Sequence, residues 1–184
     1  MRIISGKFKG RKLKSFKESN IRPTSDRLRE SIFNILGNKV EDRQVLDLFA
    51  GTGAMGIEAL SRGARQAVFI DDHVGALSIL RYHVERFGLK ERTRIIKWNI
   101  HKNLYCLKKT SHKFDLIFLD PPYGKNLILP ALTHLMASGA VVKGAIFAVE
   151  HASSDPLSED LPSLKTTDRR RYGKTLVSFL KYVI

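Results

Sequence analysis

Asp120-Pro121-Pro122-Tyr123 places a carboxylate, two prolines and a phenol ring in immediate succession. The apolar run before it, Leu116-Ile117-Phe118-Leu119, reads as a buried parallel strand. In open α/β sheets, ligands bind at the carboxyl ends of such strands. The prolines fix φ and remove two backbone donors, so the loop is stiff and its carbonyls stay free to accept. An Asp carboxylate, a Pro carbonyl and a flat ring suit a planar base that bears an amine. The amine donates to the two oxygens and the ring stacks on Tyr123. The plainer alternative is a strand-ending turn with a half-buried tyrosine. Asp120, Pro121 and Tyr123 are therefore the candidate catalytic residues.

A second cluster of chemistry runs from Val45 to Gly56. A short apolar strand ends in Asp47-Leu48-Phe49-Ala50 and enters a glycine-rich turn, with Gly51, Gly53 and Gly56 spaced G-x-G-x-x-G. The first two glycines let a ligand approach the backbone, and Gly56 lets the following helix pack against the strand. The spacing alone is weak evidence for a dinucleotide. Asp47, four residues before Gly51, instead favours a cofactor that carries positive charge, such as S-adenosylmethionine (SAM). Asp71 ends the next strand, Ala67–Asp71, about 20 residues on, where an acid takes ribose hydroxyls. Asp72 competes for that role. Asn99, after the strand Thr93–Asn99, is placed to read an adenine edge or simply to form a turn.

The elements that must hold these residues follow from periodicity. Ser25 or Thr24 caps a helix in which Leu28, Ile32, Ile35 and Leu36 recur at helical spacing. Thr24, Asp26 and Arg27 lie at its start, where it would act as a lid; an ordinary capped helix is the alternative. Helices are expected after Gly53, from Gly75 to Gly88, over the basic residues 100–113, and from Asn126 to Ala137. Further strands are expected over Phe114–Leu119, Ala145–Glu150, Leu164–Arg171 and Thr175–Val183. The alternation of strand and helix, closed by two strands, predicts an α/β doubly wound, Rossmann-like sheet of seven mostly parallel strands with an antiparallel C-terminal hairpin. Residues 1–40 form a basic N-terminal hairpin and lid helix ahead of the main domain, 41–184.

Charge narrows the partners. The chain of 184 residues carries 32 Lys and Arg against 18 Asp and Glu, a formal net charge of +14. That excess points to a polyanionic partner. Arg2, Lys7, Lys9, Arg11 and Lys12 crowd the N-terminus among apolar Ile4, Phe8 and Leu13, and Arg170 and Arg171 flank a predicted turn. These are the candidate phosphate contacts. Cys106 is the only cysteine, and the six histidines show no metal-ligand spacing, so neither a disulfide nor a metal is expected. With no signal-peptide-like start and no apolar span, the expectation is a cytoplasmic protein that needs no membrane and acts as a monomer.

The blocks Arg2–Leu13, Arg22–Leu36, Asp47–Ala64, Asp120–Tyr123 and Arg171–Thr175 together resemble the small bacterial SAM-dependent methyltransferases that modify guanine N2 in 16S ribosomal RNA. The resemblance covers nearly the whole chain. It implies SAM against Asp47, Phe49, Gly51 and Gly53, with Asp120 adjoining the donor, Asp71 on the ribose and Asn99 beside the adenine. Thr24 and Arg27 would cover the methionine end. It implies 16S RNA or the assembling small subunit as partner. The Asp-Pro-Pro-Tyr type of motif is shared with adenine-N6 DNA methyltransferases, which stay as an alternative. So does a non-catalytic SAM-binding RNA module. The glycine spacing also keeps open a nucleotide-dependent oxidoreductase.

Overall fold

The computed structural model describes residues 1–15, 25–108, 113–155, 157, 161 and 163–184. Seven strands form one sheet: β1 (Gln44–Leu48), β2 (Gln66–Asp71), β3 (Thr93–Lys97), β4 (Phe114–Leu119), β5 (Val141–Ala152), β6 (Leu164–Tyr172) and β7 (Thr175–Tyr182). Their order is β3-β2-β1-β4-β5-β7-β6. Pairings are parallel from β3 through to β5, and antiparallel for β5–β7 and β7–β6. The helices are α1 (Asp26–Leu36), α2 (Ala54–Ser61), α3 (Val74–Arg86) and α4 (Ile128–Ala137).

Side chains alternate across each strand, so the sheet divides the core in two. On one face, Val45, Phe69, Leu116, Phe118, Ala148 and Phe179 meet α1, α2, α3 and the N-terminal loop. On the other, Leu46, Leu48, Ile70, Ile117, Phe147 and Val149 meet α4 and residues 100–107. Residues 1–40 share the first cluster through Ile3, Phe8, Leu28, Ile32 and Phe33, with the Phe33 and Phe118 rings 5.5 Å apart.

The N-terminal hairpin is reduced to a single bridged pair, Arg2 with Lys12, around a 3-10 turn at Gly6–Phe8. The Ile3 and Leu13 amides bond across this pair, to the Arg11 and Met1 carbonyls at 3.0 and 3.1 Å, while three other amides turn to α2. The Ile4 and Ser5 N–H groups donate to the Glu58 carboxylate at 2.8 and 3.0 Å, and the Phe8 N–H donates to Ser61 Oγ at 2.9 Å. Glu58 is fully buried, and its charge is met by Arg62 at 2.7 Å and by the fully buried Arg29 at 3.6 Å. One buried carboxylate thereby fastens the N-terminal loop, α1 and α2 together.

The helix expected over 100–113 does not form among its described residues, which contain only a 3-10 turn at Tyr105–Leu107. Asn103 is the reason. Its side-chain oxygen accepts from the Tyr105 amide at 3.1 Å and its carbonyl accepts from Trp98 Nε1 at 3.0 Å, so the local polar groups are committed to a turn.

Gly56 sits where α2 crosses β2. A Cβ there would lie 2.3 Å from the Phe69 ring and 3.1 Å from Asp47 Oδ2. Gly56→Ala is expected to destabilise the fold by about 1–3 kcal/mol through overpacking, as read from denaturant midpoints; an unchanged midpoint would show that the crossing has slack.

Candidate active site

Parallel register sets the site. Leu48 pairs with Ile70 on β2 and Leu119 on β4, and Leu119 pairs with Val149 on β5. One step further along, Asp71, Phe49, Asp120 and Glu150 therefore stand in a row at the carboxyl edge. The Trp98 N–H bond to the Asp71 carbonyl at 2.9 Å brings Asn99 to the same edge.

The glycine turn hangs from this row. Phe49 adopts a left-handed backbone, φ 59°, uncommon for a bulky residue and a marker of functional sites. Its ring meets His101 edge-on at 6.1 Å. Gly51 has φ +53°, and a Cβ there would meet nothing within 4 Å, so its surface is open. Gly53 has φ +82° and caps α2; a side chain there would strike Leu80 at 2.3 Å.

Two acids brace the turn. Asp47 is buried, and its Oδ2 accepts from the Gly56 N–H at 2.9 Å, so it caps the first turn of α2 from β1. Burial, with repulsion from Asp71, pushes its carboxyl up to about 8 against the Gly56 hydrogen bond. Asp71 accepts from the Gly51 N–H at 2.8 Å with one oxygen and from the His73 N–H at 2.8 Å with the other. A carboxylate has further lone pairs, so hydroxyl donors can still be accepted. Asp72 and Asn99 are exposed.

On the other side of the row, Asp120 is half-buried, Pro121 is buried and Pro122 is exposed. Tyr123 is 43% exposed, yet its hydroxyl is tied down: it donates to Glu150 Oε1 at 2.7 Å and lies 3.1 Å from Thr175 Oγ1. Burial, then the Glu150 and Asp120 charges, hold this phenol above the ordinary tyrosine range against the Thr175 hydrogen bond. The ring is thus fixed in place and uncharged. Glu150 and Thr175 were not candidates from the sequence. The available signal was the position of Glu150 at the end of an apolar strand, the same position that singled out Asp71 and Asp120.

Behind the loop, Pro121, Tyr123, Asn126, Glu150 and His151 line a small cleft. His151 is buried; its Nδ1 donates to the Asp155 carbonyl at 3.0 Å and its Nε2 accepts from Ser178 at 2.9 Å, so it is structural and neutral. His83 is buried likewise, bonded to the Thr52 carbonyl at 3.1 Å and accepting from the Lys14 N–H at 2.9 Å. It ties the glycine turn to the N-terminal loop. The buried Nδ1 of His134 lacks a hydrogen-bond partner among the described residues.

Of the lid residues, Thr24 lies outside the described residues. Arg27 is exposed on the first turn of α1. Ser31 bonds to Tyr172 at the β6–β7 turn, which brings the N-terminal half of α1 toward the carboxyl edge. Arg2, Lys7, Lys9, Arg11 and Lys12 are exposed around the N-terminal loop. Arg170 is exposed and paired with Asp168 at 3.0 Å, and exposed Arg171 donates to the Gly173 carbonyl.

A glycine turn open on one side, braced by acids and aligned with Asp-Pro-Pro-Tyr on this strand order, defines a Rossmann-like SAM-dependent methyltransferase. SAM carries a sulfonium and an ammonium, and the row of carboxylates suits both. Residues 1–181 match the family model described as Conserved hypothetical protein 95, and the chain belongs to that family, the small-subunit ribosomal RNA methyltransferase D group. It is 37% identical over 152 residues to "Ribosomal RNA small subunit methyltransferase D" of Escherichia coli (strain K12), covering 82% of this chain and 74% of that one. It is 34% identical over 181 residues to YlbH of Bacillus subtilis (strain 168), provisionally named an rRNA methyltransferase, covering 98% of both. The structure of the E. coli protein yhhF, provisionally described as a methyltransferase, superposes with a TM-score of 0.85 at 27% identity, over 100% of this chain and 98% of that one.

The Asp47 carboxyl has a testable consequence. Its folded value of about 8 lies above the ordinary carboxylate value of about 4, so the native state holds a proton that the unfolded chain has lost. Its contribution to stability is present at low pH and is lost as pH rises from about 4 to about 8. Asp47→Asn keeps an acceptor for Gly56 and is expected to flatten that decline in thermal melts; a decline of undiminished slope would contradict the assignment. Tyr123→Phe keeps the ring but removes the hydroxyl that donates to the buried Glu150 carboxylate. A loss of about 1–3 kcal/mol is expected by chemical denaturation, and none would mean the hydroxyl bond is idle.

Proposed function

We propose that this protein methylates the exocyclic N2 amine of a guanine in 16S ribosomal RNA, using SAM, in the cytoplasm. The observation that carries the reading is the alignment of Phe49, Asp120 and Glu150 on three adjacent strands, beside an open glycine turn. SAM, when bound, supplies an electrophilic methyl group on its sulfonium. The residues that would hold it are Asp47, Phe49, Gly51, Gly53 and Asp71, with Asn99 near the adenine, Thr24 and Arg27 over the methionine end, and Asp120 adjoining the donor.

The exocyclic amine is a poor nucleophile because its lone pair is delocalised into the ring. Asp120 and the Pro121 carbonyl accept its two N–H bonds and draw the nitrogen toward sp³. The lone pair is thereby freed for the methyl group that SAM would supply: the N–C bond would form as the S–C bond breaks, S-adenosylhomocysteine would leave, and the surplus proton would pass to Asp120 or to water. Positioning supplies most of the effect, up to ~7–11 kcal/mol at near-ideal geometry. Tyr123, anchored by Glu150 and Thr175, offers a ring already in position, and stacking contributes about 1–3 kcal/mol per base. A paired base cannot reach this corner, so the target is single-stranded or flipped out. Arg2, Lys7, Lys9, Arg11, Lys12, Arg170 and Arg171 supply phosphate contacts, and the small-subunit target agrees with the names of the relatives.

The test is radiolabelled methyl transfer to 16S RNA, small subunits and DNA in parallel, followed by digestion of the product to nucleosides. N2-methylguanosine is expected, and N6-methyladenosine would overturn the reading. Asp120→Ala is expected to keep SAM binding and lose turnover by at least about 10²-fold, on the order of a lost positioning contact; near-normal turnover would remove Asp120 from the mechanism.

A further inference from the structure

Two cations without a role so far, Lys14 and Arg86, continue the basic surface of Lys7 and Arg11. The N-terminal loop and α3 lie side by side there, pinned by the bond from the Lys14 N–H to His83. Along their seam, cations and rings alternate. Lys7 Nζ is 5.7 Å from the centre of the Phe8 ring, and the Arg11 guanidinium is 5.3 Å from Phe8 and 5.7 Å from Phe87. The Arg86 guanidinium is 6.0 Å from Phe87 and 5.9 Å from Tyr82, and Lys14 Nζ is 3.7 Å from Tyr82. Each cation thus shares a ring with the next, in the unbroken order Lys7, Arg11, Arg86, Lys14.

Phe8 and Phe87 are buried and stacked at 5.4 Å, and form the floor. The four cations are exposed, and Tyr82 is 39% exposed. Glu85, the sole acid of α3, is held by Lys90 at 3.2 Å. Four like charges on one seam repel each other, and ring contacts at exposed sites offset little of that. Such a surface is stabilised when a polyanion lies along it.

We infer that this seam is a track for the sugar–phosphate backbone of the RNA flanking the target, carried from the N-terminal loop onto α3 by Lys14, Tyr82 and Arg86. The inference rests on the RNA methyltransferase reading of the active edge. Single-stranded RNA fits best: cations at ring-spaced intervals meet successive phosphates, and the exposed face of Tyr82 accepts a base. An anionic bilayer is disfavoured, because the seam exposes cations and one phenol without an apolar ridge to insert.

The test is binding of a fluorescent single-stranded 16S RNA fragment across a salt series, with SAH affinity measured alongside. Lys14→Gln with Arg86→Gln is expected to weaken RNA binding at least several-fold and to reduce the slope of log K against log salt by ~0.7 per lost contact, with SAH affinity unchanged. Tyr82→Ala is expected to weaken binding several-fold with the slope intact. Unchanged affinity and slope in both variants would overturn the track. So would wild-type binding to phosphatidylserine vesicles as tight as to RNA and lost in the same variants. A wild-type protein that binds RNA with these slopes but methylates none would leave the track standing and defeat the functional reading instead.

Discussion

Parallel pairing of β1 with β2 and β4 puts Leu48 opposite Ile70 and Leu119, and the edge chemistry depends on that register. Side chains alternate with a period of two, so a slip of one residue would exchange every buried side chain between the two core faces. The apolar residues on both sides of β1, Val45, Leu46 and Leu48, are fully buried, which makes such a slip costly. With the register fixed, the residues that follow each strand arrive at one level. Three carboxylates and a strained phenylalanine are thus assembled by core packing alone.

Those carboxylates occupy a protein whose net charge is +14. The two signs meet at the β6–β7 turn, whose Thr175 lies 3.1 Å from the Tyr123 hydroxyl. Acids crowd the edge row and the glycine turn, where a sulfonium donor fits; cations cover the N-terminal loop, α3 and the β6–β7 turn, where phosphate fits. The buried Arg29–Glu58–Arg62 cluster links the two regions mechanically, because Glu58 anchors the basic loop on α2 and α2 begins at the glycine turn. His83 makes a second link, from Thr52 to Lys14.

Much of this was legible in the chain itself. Asp120, Asp71 and the three glycines stood at the ends of short apolar runs, and local pattern is enough to read such runs as strands. The glycine spacing marks Gly56 as a close-packing residue, and it lies against Phe69. What local pattern could not show was long-range partnership. The N-terminal segment alternates like a hairpin and closes on itself at Arg2 and Lys12, but the Ile4, Ser5 and Phe8 amides go to Glu58 and Ser61, more than fifty residues away. Residues 100–113 read as helical, but among the described ones Asn103 commits the chain to a turn. Glu150 and Thr175 meet Tyr123 only because β7 returns antiparallel beside β5.

A crystal structure of the protein with SAH bound tests the central claim most directly. The sulfur is predicted to face the Asp120–Pro121 corner across the open side of Gly51, with the Tyr123 ring still anchored on Glu150. A ligand seated on another face, or an Asp120 carboxylate turned away from the sulfur, would contradict it.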